Sequence, residues 1–224
     1  MTYYLRLTTF LKYFFYIAWN WNIIIAIYII YHEIKGEKKY GINSIGIDNL
    51  DELDSKHLDN ATIYMPAIYP MLEMIFEKAN IENLNHLLDI GCGKGRAICV
   101  AAANGCKKVS GIDFSKELCM DALNNLSIIQ QKHPALQAKI INSDAFTCQI
   151  PADVDCIFLF NPFDDYLMMG VVKNIEQSLK SNPRPLKIIY ANPLCKSHFA
   201  DAGFKETFHS KKMRYIEVSI LEKY

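Results

Sequence analysis

The stretch LLDIGCGKGRAICVAAANG, residues 87–105, leaves this chain few folds to choose from. An apolar run over 84–90 reads as a strand buried on both faces, with one acid, Asp89, near its end. Glycines follow at positions 91, 93 and 95, and an apolar helical segment over 95–104 is closed by Gly105. Strand, glycine turn and helix in that order make a βα unit, which belongs in a parallel sheet covered by helices. Gly91, Gly93 and Gly95 permit tight turning and close approach of a ligand to the backbone. The free N–H groups that open the helix favour an anionic group there. Spacing excludes two nucleotide folds. A nicotinamide fingerprint, G-x-G-x-x-G, requires glycine at position 96, which is Arg96. No G-x-x-x-x-G-K-[ST] occurs, so the loop is not a P-loop.

The chain after this loop keeps alternating. Helical spacing precedes it over 69–79, and a strand follows over 108–114. Ser115 caps a helix running to about residue 131, stopped by His133-Pro134. Strands are predicted over 138–144 and over the apolar run that enters Asn161-Pro162-Phe163. A helix over 165–179, a strand over 186–191 and a short helix in KSHFADAG come next. Two β-like stretches, 204–209 and 214–221, are close enough in sequence to pair antiparallel. The expected fold is α/β: a Rossmann-like, doubly wound, mostly parallel seven-stranded sheet with an antiparallel C-terminal hairpin, preceded by an N-terminal hydrophobic helix. Ligands of such sheets bind at the carboxyl ends of the strands. Asn161 and Pro162 stand at such an end, so they read either as a plain turn or as part of a site.

The front end differs. Residues 13–31, YFFYIAWNWNIIIAIYIIY, carry no charge over nineteen positions, close to the roughly 20 needed to span a bilayer as a helix. Residues 1–35 are therefore expected to be a membrane anchor. Lys35, Lys38 and Lys39 after the run outnumber Arg6 and Lys12 before it, which places the following domain in the cytoplasm. The alternative is a hydrophobic helix docked on the domain or on a second copy. Asn20 and Asn22, costly in lipid, favour that alternative. Residues 36–60 read as a connector that folds over the domain's entrance, and residues 61–224 as the α/β domain. Lysine plus arginine (24) balances aspartate plus glutamate (24), which disfavours nucleic acid as a partner. The seven cysteines form no C-x-x-C pair and the six histidines no ligand spacing, so no metal site and no disulfide framework are expected.

An acid, one residue and then G-x-G-x-G resembles motif I of the class I S-adenosylmethionine (SAM) dependent methyltransferases, carried here by Asp89, Gly91, Gly93 and Gly95. The resemblance covers about residues 61–204. It implies that Asp113, at the end of the second strand, binds the ribose hydroxyls and that Phe114 packs on the adenine. Asp144, with Ala145 behind it, matches the acid that accepts from the adenine amino group. Tyr64 and Tyr69 occupy the region that closes over the methionine end of SAM. Asn161, Pro162 and Phe163 resemble the amine clamp of N-methyltransferases, with amide and backbone oxygens holding the amine and the ring facing the substrate. A single proline stands where the adenine- and glutamine-modifying members typically show two, which argues against a nucleobase. The wider chain is similar to bacterial methyltransferases of unassigned substrate and, more distantly, to the non-SET lysine methyltransferases. The activity implied is N-methylation of a protein lysine or similar amine. The alternatives are a small-molecule or lipid methyltransferase and a non-catalytic SAM-binding module.

Overall fold

The computed structural model describes residues 2–46, 65–160, 163–212 and 216–224. Helix α1 spans Thr2–Asn20 and α2 spans Ile23–Tyr40, so the uncharged run is not one helix. Asn22 makes the break. Its backbone is extended (φ −169°) and its side chain accepts a hydrogen bond from Ile25 N at 2.9 Å, capping α2. Tyr13, Ile17, Ala26 and Ile29 are buried in the main hydrophobic cluster, whereas Phe15, Trp19, Ile24 and Ile27 are exposed. Among the described residues, no helix is long and apolar enough to cross a membrane. The expected anchor is therefore corrected to a pair of helices docked on the domain. Helix α2 also runs through Tyr40, where a charged connector was expected, and ends at Gly41 in the left-handed region (φ 78°). Of the connector that follows, Ile42, Ser44 and Ile45 are buried, and residues 47–60 lie outside the described residues.

Helix α3 (Tyr69–Lys78) and a short 3-10 turn lead into the sheet. Strands β1 (Leu87–Ile90), β2 (Lys108–Asp113) and β3 (Gln137–Asn142) alternate with α4 (Arg96–Ala103) and α5 (Lys116–Lys132). Strand β4 (Cys156–Phe160), α6 (Asp165–Ser181), β5 (Leu186–Ala191) and α7 (Lys196–Asp201) follow, and β6 (Lys205–Lys212) pairs with β7 (Ile216–Lys223). The strand order is β3-β2-β1-β4-β5-β7-β6. The first five strands are parallel, and β7 and β6 are antiparallel, as expected.

Burial on both faces explains the apolar strands. Leu87, Cys156, Phe158 and Ile189 pack toward the face shared by α1 to α5. Leu88, Ile157, Leu159 and Ile188 pack toward α6 and α7. Strand order reverses between β1 and β4, and ligands bind at such switch points.

Candidate active site

The glycine loop turns through three residues with positive φ: Gly91 (81°), Gly93 (51°) and Gly95 (75°). A side chain at Gly95 is excluded twice, because its Cβ would also stand 3.0 Å from the Cβ of Ala122 on α5. The amides of Gly91 and Cys92 both donate to Ile112 O, at 2.8 and 2.9 Å, which ties the loop to the end of β2. There Asp113 waits with a buried carboxylate. Its Oδ2 accepts from Gly93 N (2.8 Å) and its Oδ1 from Ser115 N (2.9 Å). Each oxygen keeps a second lone pair, enough to accept two hydroxyls. Burial pushes Asp113 above the usual carboxylate range, and the two backbone donors oppose that shift.

Asp89 is more isolated. It is 3% exposed and makes no hydrogen bond among the described residues. Burial, and then the negative charge of Asp113, drive it well above its ordinary value. A buried acid without a donor beside a glycine loop is an unmet acceptor, and it suits a cationic ligand. A sulfonium nucleoside that carries an ammonium and ribose hydroxyls fits this set of donors and acceptors.

The third strand end is assembled by a residue that the sequence reading passed over. Asn142 Nδ2 donates to the carbonyls of Asp113 (3.0 Å) and Phe114 (2.7 Å), clamping the end of β2 to that of β3. Asp144 lies two residues on, with its Oδ1 accepting from Phe146 N at 2.8 Å. Ala145 is buried, and its carbonyl accepts from Asn174 Nδ2 at 3.3 Å. Asp89, Asp113, Phe114, Asp144 and the glycines therefore meet at the ends of adjacent strands.

Tyr69 sits elsewhere. Its ring lies under the Arg96 guanidinium (4.3 Å) and stacks on Tyr40 (5.5 Å, 10°), and its hydroxyl donates to Glu37 Oε1 at 3.0 Å. Arg96, in the first turn of α4, makes a two-pronged bond to Glu33 of α2 and donates through Nε to Ser44 Oγ (2.8 Å). Glu37 also accepts from Ser44 N at 2.8 Å. This buried ionic network fastens the N-terminal helices directly behind the glycine loop. Its sequence signal was Glu33 and Glu37 at i,i+4 on an apolar helix, and an arginine opening another. Tyr64 lies outside the described residues.

At the ends of β4 and β5 lies an open apolar pocket of about 570 Å³, counting the solvent space at its mouth. Ile25 and Ile29 of α2 and Trp21 of the turn before it line the pocket, with Met71 of α3, Phe160 and Asn192. Phe160 immediately precedes Asn161, which with Pro162 lies outside the described residues. Phe163 does not line the pocket. It is 7% exposed and packs with Leu167 and Phe199 in the cluster beneath α6 and α7.

Known proteins agree with this geometry. A methyltransferase-domain family matches residues 87–182. A protein-lysine N-methyltransferase from Saccharolobus islandicus is 26% identical over 132 residues, 58% of this chain and 80% of that protein. An RNA methyltransferase from Salinibacter ruber, solved with S-adenosyl-L-homocysteine, superposes with a TM-score of 0.53 at 18% identity, over 70% of this chain and 93% of that one. The ribosomal protein L11 methylase from Lactobacillus delbrueckii subsp. bulgaricus gives 0.52 at 18% identity, over 69% and 77%. Together with the glycine loop, the acids of three strand ends and the switch point, the matched methyltransferase domain supports a SAM-dependent methyltransferase of class I.

Proposed function

We propose that this enzyme methylates an amine nitrogen, with a protein lysine as the first acceptor to test. The observation that carries this reading is Asn161-Pro162 directly after Phe160, a residue that lines the apolar pocket. The lysine-methylating relative supports the same acceptor class. The zero net charge argues against a nucleic-acid substrate. SAM, when bound, supplies an electrophilic methyl group. In this reading Asp113 holds the ribose hydroxyls, Asp144 the adenine edge and Asp89 the cationic end of the cofactor. Asn161 and the carbonyl beside Pro162 accept the amine's hydrogens and aim its lone pair. Phe163, the next residue in sequence, is buried in the core. The amine lone pair aimed by these oxygens would take the methyl group that SAM supplies, sulfur keeping the electrons of the bond it gives up, and the proton displaced from nitrogen would pass to solvent. Positioning carries most of the acceleration in such a transfer. Seven thiols, none in a disulfide, suit a reducing compartment.

The test is incubation of the full-length protein and cell lysate with methyl-labelled SAM, followed by acid hydrolysis. Label in methyllysine is the expected result. Label confined to an organic extract establishes the small-molecule or lipid alternative, and no label in any acceptor establishes a binding module.

A further inference from the structure

Two strands of the sheet are followed by the same dipeptide in sequence. Strand β4 runs into Phe160-Asn161-Pro162 and β5 into Ala191-Asn192-Pro193. The two strands are parallel neighbours, with Phe160 beside Ala191. Asn192 is in the left-handed region at φ 49°, a conformation that only one other described non-glycine residue, Asn80, adopts. Such backbone is costly for most side chains and tends to gather at ligand sites. Here it is fixed by Asn192 N donating to Glu217 O (2.7 Å) and by Leu194 N donating to Asn192 O (2.9 Å). These bonds use the backbone alone. The side-chain amide makes no hydrogen bond among the described residues, yet Asn192 lines the same apolar pocket as Phe160, Trp21 and Ile25. A turn needs no amide at this position, because glycine adopts it without strain. A half-buried amide with no partner among the described residues, in an apolar pocket, is suited to a ligand from outside.

We infer that Asn192 is a second acceptor-binding residue, and that the pocket seats the uncharged stem of a primary amine whose nitrogen meets the strand ends. The inference rests on the amine-methylation reading. The chemistry is consistent from both sides. Apolar walls disfavour an ammonium and so favour the neutral amine, the form with a free lone pair. The amide oxygen accepts an N–H without holding that nitrogen in its charged form, as a carboxylate would. The carboxylate at the rim, Glu217, is already bound by Lys211 and His209. The pocket wall contributed by α1 and α2 makes the N-terminal helices part of the acceptor site.

n-Hexylamine, an apolar stem with one amine, is the probe, and the full-length protein carrying Trp19→Phe leaves Trp21 in the pocket as the one indole reporter. The expected result is a change of Trp21 emission on adding n-hexylamine, with methyl transfer to it from labelled SAM. Asn192→Gly, which the backbone accommodates, should lower kcat/KM for n-hexylamine on the order of 10²-fold. Its thermal midpoint and S-adenosylhomocysteine affinity should match the parent. Asn192→Asp, which retains the shape, should shift activity to higher pH rather than restore it. No emission change, or a kcat/KM for Asn192→Gly within twofold of the parent, overturns the inference. Emission change that depends on Asn192 with no methyl transfer keeps the pocket and defeats the amine reading. Labelled lysine in lysate with full activity of Asn192→Gly does the reverse.

Discussion

Asp89 places an ionisable group in a buried position where no donor among the described residues reaches it, which is an expensive position for a residue serving only the fold. Its folded-state value is raised, so the native state holds the proton more tightly than the unfolded chain, whose aspartates titrate near 3.9. Stability is then highest in acid and falls as pH rises through about 4 toward the raised folded value. Asp89→Asn removes this pH dependence and should raise the melting temperature at neutral pH, while weakening SAM binding. A variant no more stable than the parent at pH 7 overturns the assignment. Asp113→Ala should behave differently, because it also orphans the amides of Gly93 and Ser115. Each unsatisfied buried group costs about 1–3 kcal/mol, so both stability and cofactor affinity should drop. Calorimetry with S-adenosylhomocysteine and a thermal melt on the same sample separate the two. Asn161→Ala should reduce turnover on the order of 10²-fold with cofactor affinity unchanged, by analogy with other positioned acceptors. Equal turnover would return it to a turn residue. Phe163, expected from its motif to face the substrate, is a core side chain in the structure, and Phe163→Ala should cost about 3–5 kcal/mol in stability.

At the scale of elements, the parts fixed by local chemistry were legible. Ser115 caps α5 by accepting from Leu118 N, and β5 occupies 186–191 as its apolar run predicts. Acids at strand ends are visible in the same way, since strand, turn and acid are neighbours in sequence. What stayed hidden was set by distant partners. Arg96 and Glu33 are 63 residues apart, and although acids on an apolar helix hint at a buried partner, nothing local says which base it is. Asn192 was visible in principle, because its dipeptide repeats the one at 161, but its importance depends on β4 and β5 being neighbours. Residues 13–31 were ambiguous for a physical reason. A helix whose apolar side is met by protein and one whose apolar side is met by lipid share a composition. The burial of Tyr13, Ile17, Ala26 and Ile29 in the domain's core separates them. The buried pair gives this scale its prediction. Arg96→Ala leaves Glu33 charged and alone, at a cost of about 3–5 kcal/mol. Replacing both, with Arg96→Met and Glu33→Leu, should recover most of that loss. If urea titration shows the double variant as unstable as Arg96→Ala, the pair does more than fasten α2.

For the whole molecule, the question is whether the N-terminal helices are an appendage or part of the catalytic body. Tyr13, Ile17 and Ile29 are each at most 8% exposed in the main cluster. At about 1.5–3 kcal/mol for each buried large side chain, these three alone contribute roughly 5–9 kcal/mol. That is comparable to the whole stability of an ordinary domain, about 5–15 kcal/mol. Removing residues 1–40 also deletes Glu33 and Glu37, stranding Arg96 one residue behind the glycine loop. The truncated chain is therefore expected to lose its cooperative melt and its S-adenosylhomocysteine binding together, because the surface that α1 and α2 cover is the rear wall of the cofactor loop and one wall of the pocket. Circular dichroism melts and calorimetry on the chain beginning at residue 41 measure both. A truncated chain that melts within a few degrees of the parent and binds the cofactor product equally well would make the helices an accessory, and the acceptor pocket would then have to close without them.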